Sequence, residues 1–202
     1  MMTQKDYLLQ IDSVIANGKF KDNNASLCTH TPPKWYKNAK FGIFIHWGVY
    51  SVPGYSNEWY SREMYDKTKP SYRHHIKTYG KQKDFGYKDF IPMFKGENFS
   101  ADKWVNLFNE SGAKYVMPVA EHHDGFAMYG TEFNRWNAVN MGVKRDVVGE
   151  IKASCEQQGL EFCASNHRAE HFFFMNMGRT IDSDVNDDDT LDFDDDDFAD
   201  FA

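Results

Sequence analysis

The sequence predicts an α/β fold in which helices cover a parallel sheet, and three observations carry that prediction. Three apolar runs, at 41–45 (FGIFI), 115–120 (YVMPVA) and 160–164 (LEFCA), have the length of strands buried on both faces. Helical patterns over 101–111 and 146–157 lie before the second and third runs, giving the order strand, insertion, helix, strand, loop, helix, strand. Polar groups follow every run: His46, then Glu121-His122-His123-Asp124, then Asn166-His167-Arg168. In a parallel barrel the C-terminal strand ends open on one face, so these distant residues are expected to converge.

Each element has a local cause. Residues 1–33 read as an entry segment, with a short amphipathic helix around 7–16 and a polar loop closed by Pro32-Pro33. One helical turn over 35–40 leads into the first strand. The connection 66–99, rich in Lys, Tyr and Phe, is long enough to wall a site and is expected to hold short helices. Ser100 caps the helix over 101–111, and Gly112 ends it; Gly159 ends the helix over 146–157 in the same way. In Lys144-Arg145-Asp146, Asp146 suits the positive end of a helix dipole better than a catalytic triad. The barrel portion is thus expected over 34–181. The remainder, 182–202, is Asp-rich and of low complexity, with too little apolar surface to pack on its own. Its opening, Asp182-Ser183-Asp184-Val185-Asn186, imitates a calcium loop but has Asp187 and Phe193 where Gly and Glu are needed.

Composition excludes several classes. With 202 residues the chain suffices for one domain but falls short of the roughly 250 of a complete α/β barrel. The net charge is −7, yet eleven Asp between 182 and 200 outweigh it, so the rest of the chain carries +4. A mildly basic body without a Lys/Arg stripe gives no reason to expect nucleic acid. Cys28, Cys155 and Cys163 form no CxxC pair and read as reduced. No run approaches a membrane span, and the N-terminus lacks the apolar core of a signal peptide, so a cytoplasmic protein is expected. A secreted or periplasmic protein missing its leader would read the same.

The richest stretch is 41–65, FGIFIHWGVYSVPGYSNEWYSREMY, where an apolar run enters His46-Trp47-Gly48 and Glu58 sits between Asn57 and Trp59-Tyr60. Aromatic rings beside a His and a carboxylate suit a sugar, whose faces are apolar and whose hydroxyls need donors and acceptors. This stretch, together with AKYVMPVAEHHDGFAMY (113–129) and WNAVNMGVKRDVVGEI (136–151), resembles the amino-terminal half of the catalytic barrel of the α-L-fucosidases, glycoside hydrolase family 29. The resemblance covers roughly residues 34–180. It implies a (β/α)8-type TIM barrel of which only the amino-terminal portion is present, and hydrolysis that retains anomeric configuration. It also implies that His46, Glu58, Trp59, His122 and His123 contact the fucose of a fucosylated oligosaccharide or glycoconjugate, with no metal or organic cofactor. His167 stands near where the family often has a Tyr. The family's nucleophilic Asp has no counterpart motif before residue 202, which implies a chain ending about halfway round the barrel.

Retaining hydrolysis needs two carboxyl groups about 5–5.5 Å apart. Glu58 is the best placed carboxyl, followed by Glu121 and Asp124; it is either an acid/base or a sugar contact, and the contact is favoured. On a continuing strand His122 and His123 would point opposite ways, one to the pocket and one bracing the loop. Trp47, Trp59 and Trp136 divide between core and sugar platform in a way the sequence does not apportion. Two further readings stand: a sugar-binding fragment without catalysis, and a metal-dependent barrel hydrolase built on His46, His122, His123 and Asp124. Against the latter count the tryptophans and the absence of an HxH pair on the first strand. Half a barrel leaves a strand edge and an apolar face uncovered, so self-association into a homo-oligomer is expected.

Overall fold

Chain entry and sheet fall into separate compact units in the computed structural model, which describes residues 3–167; the first unit runs to Lys40 and the second begins at Phe41. The Asp-rich segment and its calcium-loop imitation lie outside the described residues.

The first unit is helical. Helix α1 (Gln4–Asn17) opens with a capping box, Thr3 accepting from the Asp6 N–H while the Asp6 carboxylate accepts from the Thr3 N–H at 2.8 Å. The Thr3 N–H and hydroxyl, both donating to it, hold the Asp6 carboxyl below the usual carboxylate range. Its apolar residues Leu8, Leu9, Ile11, Val14 and Ile15 are all exposed. Helices α2 (Asn24–Leu27) and α3 (Lys34–Ala39) follow, the latter ending at Lys40 with a positive φ of 62°.

The second unit is the predicted parallel sheet. Strand β1 (Gly42–Ile45) pairs in parallel with β2 (Tyr115–Glu121), Gly42 opposite Tyr115 and Ile45 opposite Pro118. The connection between them carries helix α4 (Tyr60–Glu63), helix α5 (Pro70–Thr78), a 3₁₀ segment at Tyr87–Met93, and helix α6 (Ala101–Glu110). Ser100 caps α6, accepting from the Lys103 N–H, and Gly112 follows with φ 89°. Helix α7 (Val147–Gln158) is capped by Asp146, which accepts from the Gly149 N–H at 2.8 Å, and is closed by Gly159 in the left-handed region.

The third apolar run is not one strand. Within it only β3 (Glu161–Phe162) is strand, and β4 (Ser165–Asn166) follows just past its end, each parallel to β2. The offset to β2 is the same on both sides of the gap, Val116 opposite Phe162 and Val119 opposite Ser165, and the register shifts only within β4, where Ala120 is the extra residue before Glu121 pairs with Asn166. Residues β1–β2–β3 form the path of the sheet, and β4 joins it through β2.

Alternation along β1 sorts its side chains. Ile43 and Ile45 pack against the buried cluster that includes Val105 of α6, Val116 of β2, Val147, Ile151 and Cys155 of α7, and Leu160 just before β3. Phe44 lies on the opposite face and is 47% exposed. At Gly42 an added Cβ would fall 2.3 Å from the Tyr115 ring, which explains a glycine in a strand: the ring occupies the space a side chain would take. A second aromatic cluster, Tyr60, Tyr79, Phe85 and Phe90, packs around His75 in the connection. His75 bonds the Tyr60 hydroxyl and the Phe85 carbonyl, and serves as a satisfied core histidine.

Candidate active site at the C-terminal strand ends

Three strand ends deliver four imidazoles to one place. His46 is the first residue beyond β1, His122 and His123 are the first two beyond β2, and His167 is the first beyond β4. Because the strands are parallel, these positions share one end of the sheet. The His167 N–H donates to the Glu121 carbonyl at 2.9 Å, tying the end of β4 to the end of β2. Ring centroids lie 5.6 Å apart for His46 and His122, 5.7 Å for His46 and His167, and 4.7 Å for His122 and His167. His123 joins at 4.7 Å from His122 and 5.3 Å from His167.

Aromatic rings frame the cluster. Trp59 stacks on His123 at 4.3 Å and meets His122 edge-on. Arg62 lies over the Trp59 ring at 6.0 Å. Tyr50 approaches His122 at 5.2 Å, with its hydroxyl buried and without a hydrogen-bond partner. Phe44 packs against His46 at 4.5 Å. Glu58 is half-buried, and its charge acts on both His167 and Tyr50.

Electrostatics follow from burial and crowding. His122, 3% exposed, has its pKa lowered to about 3, first by burial and then by His123, His167 and His46. His167 moves the same way for the same reasons, opposed by Glu58. Beneath the cluster, Asp124 is buried and accepts from the Tyr87 hydroxyl at 2.6 Å and the Phe126 N–H at 3.1 Å. Burial nevertheless outweighs those bonds and raises its pKa to about 6. Burial beside Asp124 also pushes the Tyr50 and Tyr87 hydroxyls well up. Imidazole nitrogens can donate or accept hydrogen bonds, and the Glu58 carboxylate accepts, which is the inventory a ring of hydroxyls requires.

All six residues picked from the sequence, His46, Glu58, Trp59, His122, His123 and His167, meet in this cluster. Two finer expectations are corrected. His122 and His123 do not diverge: the strand ends at Glu121, the chain turns, and both rings enter the cluster. Among the described residues, the group able to converge on a cation is His46, His122 and His167, with one ligand atom from each within 4.8 Å of the others; Asp124 is occupied by Tyr87 and Phe126. The tryptophans also separate. Trp47 packs in the core against Phe94, Phe99 and Trp104, Trp59 frames the site, and Trp136 lines a different cavity with Lys88, Lys95 and Lys144.

Tyr50, Phe44 and Tyr87 were not among the residues expected. Phe44 was legible by alternation, two positions before His46 on the same strand face. Tyr50 follows His46 by four residues in the HWGVY motif, and only the turn at Val49–Ser51 aims it back at His122. Tyr87 meets Asp124 across 37 residues of sequence, and no local pattern announces that.

A family model described as alpha-L-fucosidase matches residues 7–199. Human plasma alpha-L-fucosidase is 39% identical over 137 residues, covering 67% of this chain and 29% of the relative. Mouse tissue alpha-L-fucosidase is 35% identical over 149 residues, covering 73% and 33%. Among solved structures, Thermotoga maritima alpha-fucosidase in complex with fucose superposes with a TM-score of 0.68 at 41% identity, covering 73% of this chain and 37% of that one. The chain therefore spans about a third of the length of the relatives it matches.

Proposed function

Since the chain belongs to the alpha-L-fucosidase family, we propose that its histidine cluster binds the L-fucosyl unit of fucosylated oligosaccharides or glycoconjugates, as part of a retaining glycosidase site. The observation that carries this reading is the convergence of His46, His122, His123 and His167 with Trp59 and Glu58 at the C-terminal strand ends. Its sheet is read as the amino-terminal part of a (β/α)8-type barrel, whose sites sit at that face. In this assignment the imidazoles and Glu58 hold sugar hydroxyls while the exposed parts of the aromatic frame meet the apolar sugar face.

Glu58 is given the binding role. Retention requires a second carboxyl about 5–5.5 Å from the first, and Glu121 and Asp124 are sealed from solvent. The nucleophile is thus assigned outside the described residues.

The test is calorimetric titration of L-fucose into the 202-residue chain, alongside hydrolysis of an aryl α-L-fucoside. Binding is expected, weakened roughly 10- to 100-fold by His46→Ala or Trp59→Ala, a loss of about 1.4–2.8 kcal/mol. Binding without hydrolysis would favour the non-catalytic sugar-binding reading for this chain. A folded chain that ignores L-fucose would overturn the assignment.

A further inference from the structure

The geometry points to a second ligand for the same strand ends: a borderline transition-metal cation of the zinc type, held by His46, His122 and His167. One imidazole nitrogen from each lies within 4.8 Å of the other two. A tetrahedral ion with bonds of 2.0–2.1 Å needs its nitrogens about 3.4 Å apart, so modest side-chain rotations close the set. The exposed His46 side chain has room to move, while the His122 and His167 rings are held at the ends of β2 and β4.

Two further observations point to a ligand. The Nδ1 atom of His122 is buried with no hydrogen-bond partner, a state that costs about 1–3 kcal/mol and that coordination would relieve. His167 bonds the Ser165 hydroxyl through Nε2 at 2.8 Å, which orients its ring and leaves Nδ1 for an ion. A ring nitrogen bound to a neighbour while the other coordinates is how metal-binding histidines are usually oriented. Three imidazole nitrogens select zinc, copper, nickel or cobalt over the oxygen-seeking magnesium and calcium. The Glu58 charge, already felt at His167, offsets part of the cation's charge.

A cation here would occupy the space given above to the sugar, so zinc and L-fucose should exclude each other; that clause alone rests on the proposed sugar site. The experiment is calorimetric titration of Zn²⁺ into the apo 202-residue chain, with Co²⁺ added separately to read tetrahedral nitrogen ligation from its visible spectrum. One-to-one binding is expected, weakened at least about 100-fold by His46→Ala and by His167→Gln, and about tenfold by Ser165→Ala. His46 and His167 are chosen because neither is fully buried, and circular dichroism verifies that each variant is folded. Mg²⁺ should not compete. Absence of zinc binding, or affinity unchanged in both histidine variants, would overturn the site. Zinc bound through these histidines by a chain that does not bind L-fucose would uphold the metal site while the sugar reading failed.

Discussion

At the scale of single residues, His122 concentrates the electrostatics of the pocket. Its folded pKa of about 3 lies below the unfolded value of 6.5, so the unfolded chain binds more protons between those limits. The neutral ring's contribution to stability is therefore complete above pH 6.5 and is lost progressively as pH falls toward 3. His122→Gln should flatten the acid side of the stability profile, by at most about 1.4 kcal/mol per pH unit. Urea unfolding at several pH values checks this, and identical slopes for the two proteins would contradict it. Asp124 has the opposite sign: its pKa is raised from 3.8 to about 6, so its contribution is present below 3.8 and lost as pH rises through 6. Removing the hydroxyl that partly compensates it, in Tyr87→Phe, should cost about 1.5–3 kcal/mol at neutral pH and raise the Asp124 pKa further. Unfolding free energies and carboxyl titration by NMR measure both effects. These partnerships show where sequence reading stops. The four histidines were legible because polar groups directly follow apolar runs, and Glu58 and Trp59 from the Asn57-Glu58-Trp59 segment and its family resemblance, whereas the Tyr87–Asp124 bond is a product of tertiary packing.

At the scale of elements, local chemistry was a good guide wherever a terminus carried its own signal. Ser100 and Asp146 cap α6 and α7, and Gly112 and Gly159 follow their ends, because caps and left-handed residues are decided within one turn of chain. Asp146→Ala should therefore cost about 1 kcal/mol, while Asp146→Asn retains most of the cap. Thermal melts of the pair test this, and equal losses in both would mean that charge rather than the Gly149 bond matters. The third apolar run was a less reliable signal. Its hydrophobicity forecast one strand, but strand pairing with β2 stops after Phe162 and returns at Ser165 in the same register. The register shift comes one step later, within β4, and the pairing of Glu121 with Asn166 beyond it places His167 beside His122.

At the scale of the whole molecule, the described sheet buries one face and leaves the other open. Ile43 and Ile45 reach the helix-covered core, but Phe44 between them is 47% exposed, and β1 has β2 as its one strand partner among the described residues. An exposed aromatic on a strand with an unpaired edge is a template for another chain. Charge acts the other way: the net charge of −7 makes copies repel at low ionic strength, and this is screened as the Debye length falls from about 10 Å at 0.1 M salt to about 3 Å at 1 M. Association of the chain should thus strengthen with both protein concentration and salt. Phe44→Gln should weaken it, since the change removes apolar surface from the open face and leaves the helix-covered face intact. Sedimentation velocity across a concentration series, in low and high salt, reads the outcome. A species that stays monomeric in high salt would overturn the assignment of this face and edge to self-association. Association that weakens with salt would instead trace it to charge rather than to Phe44.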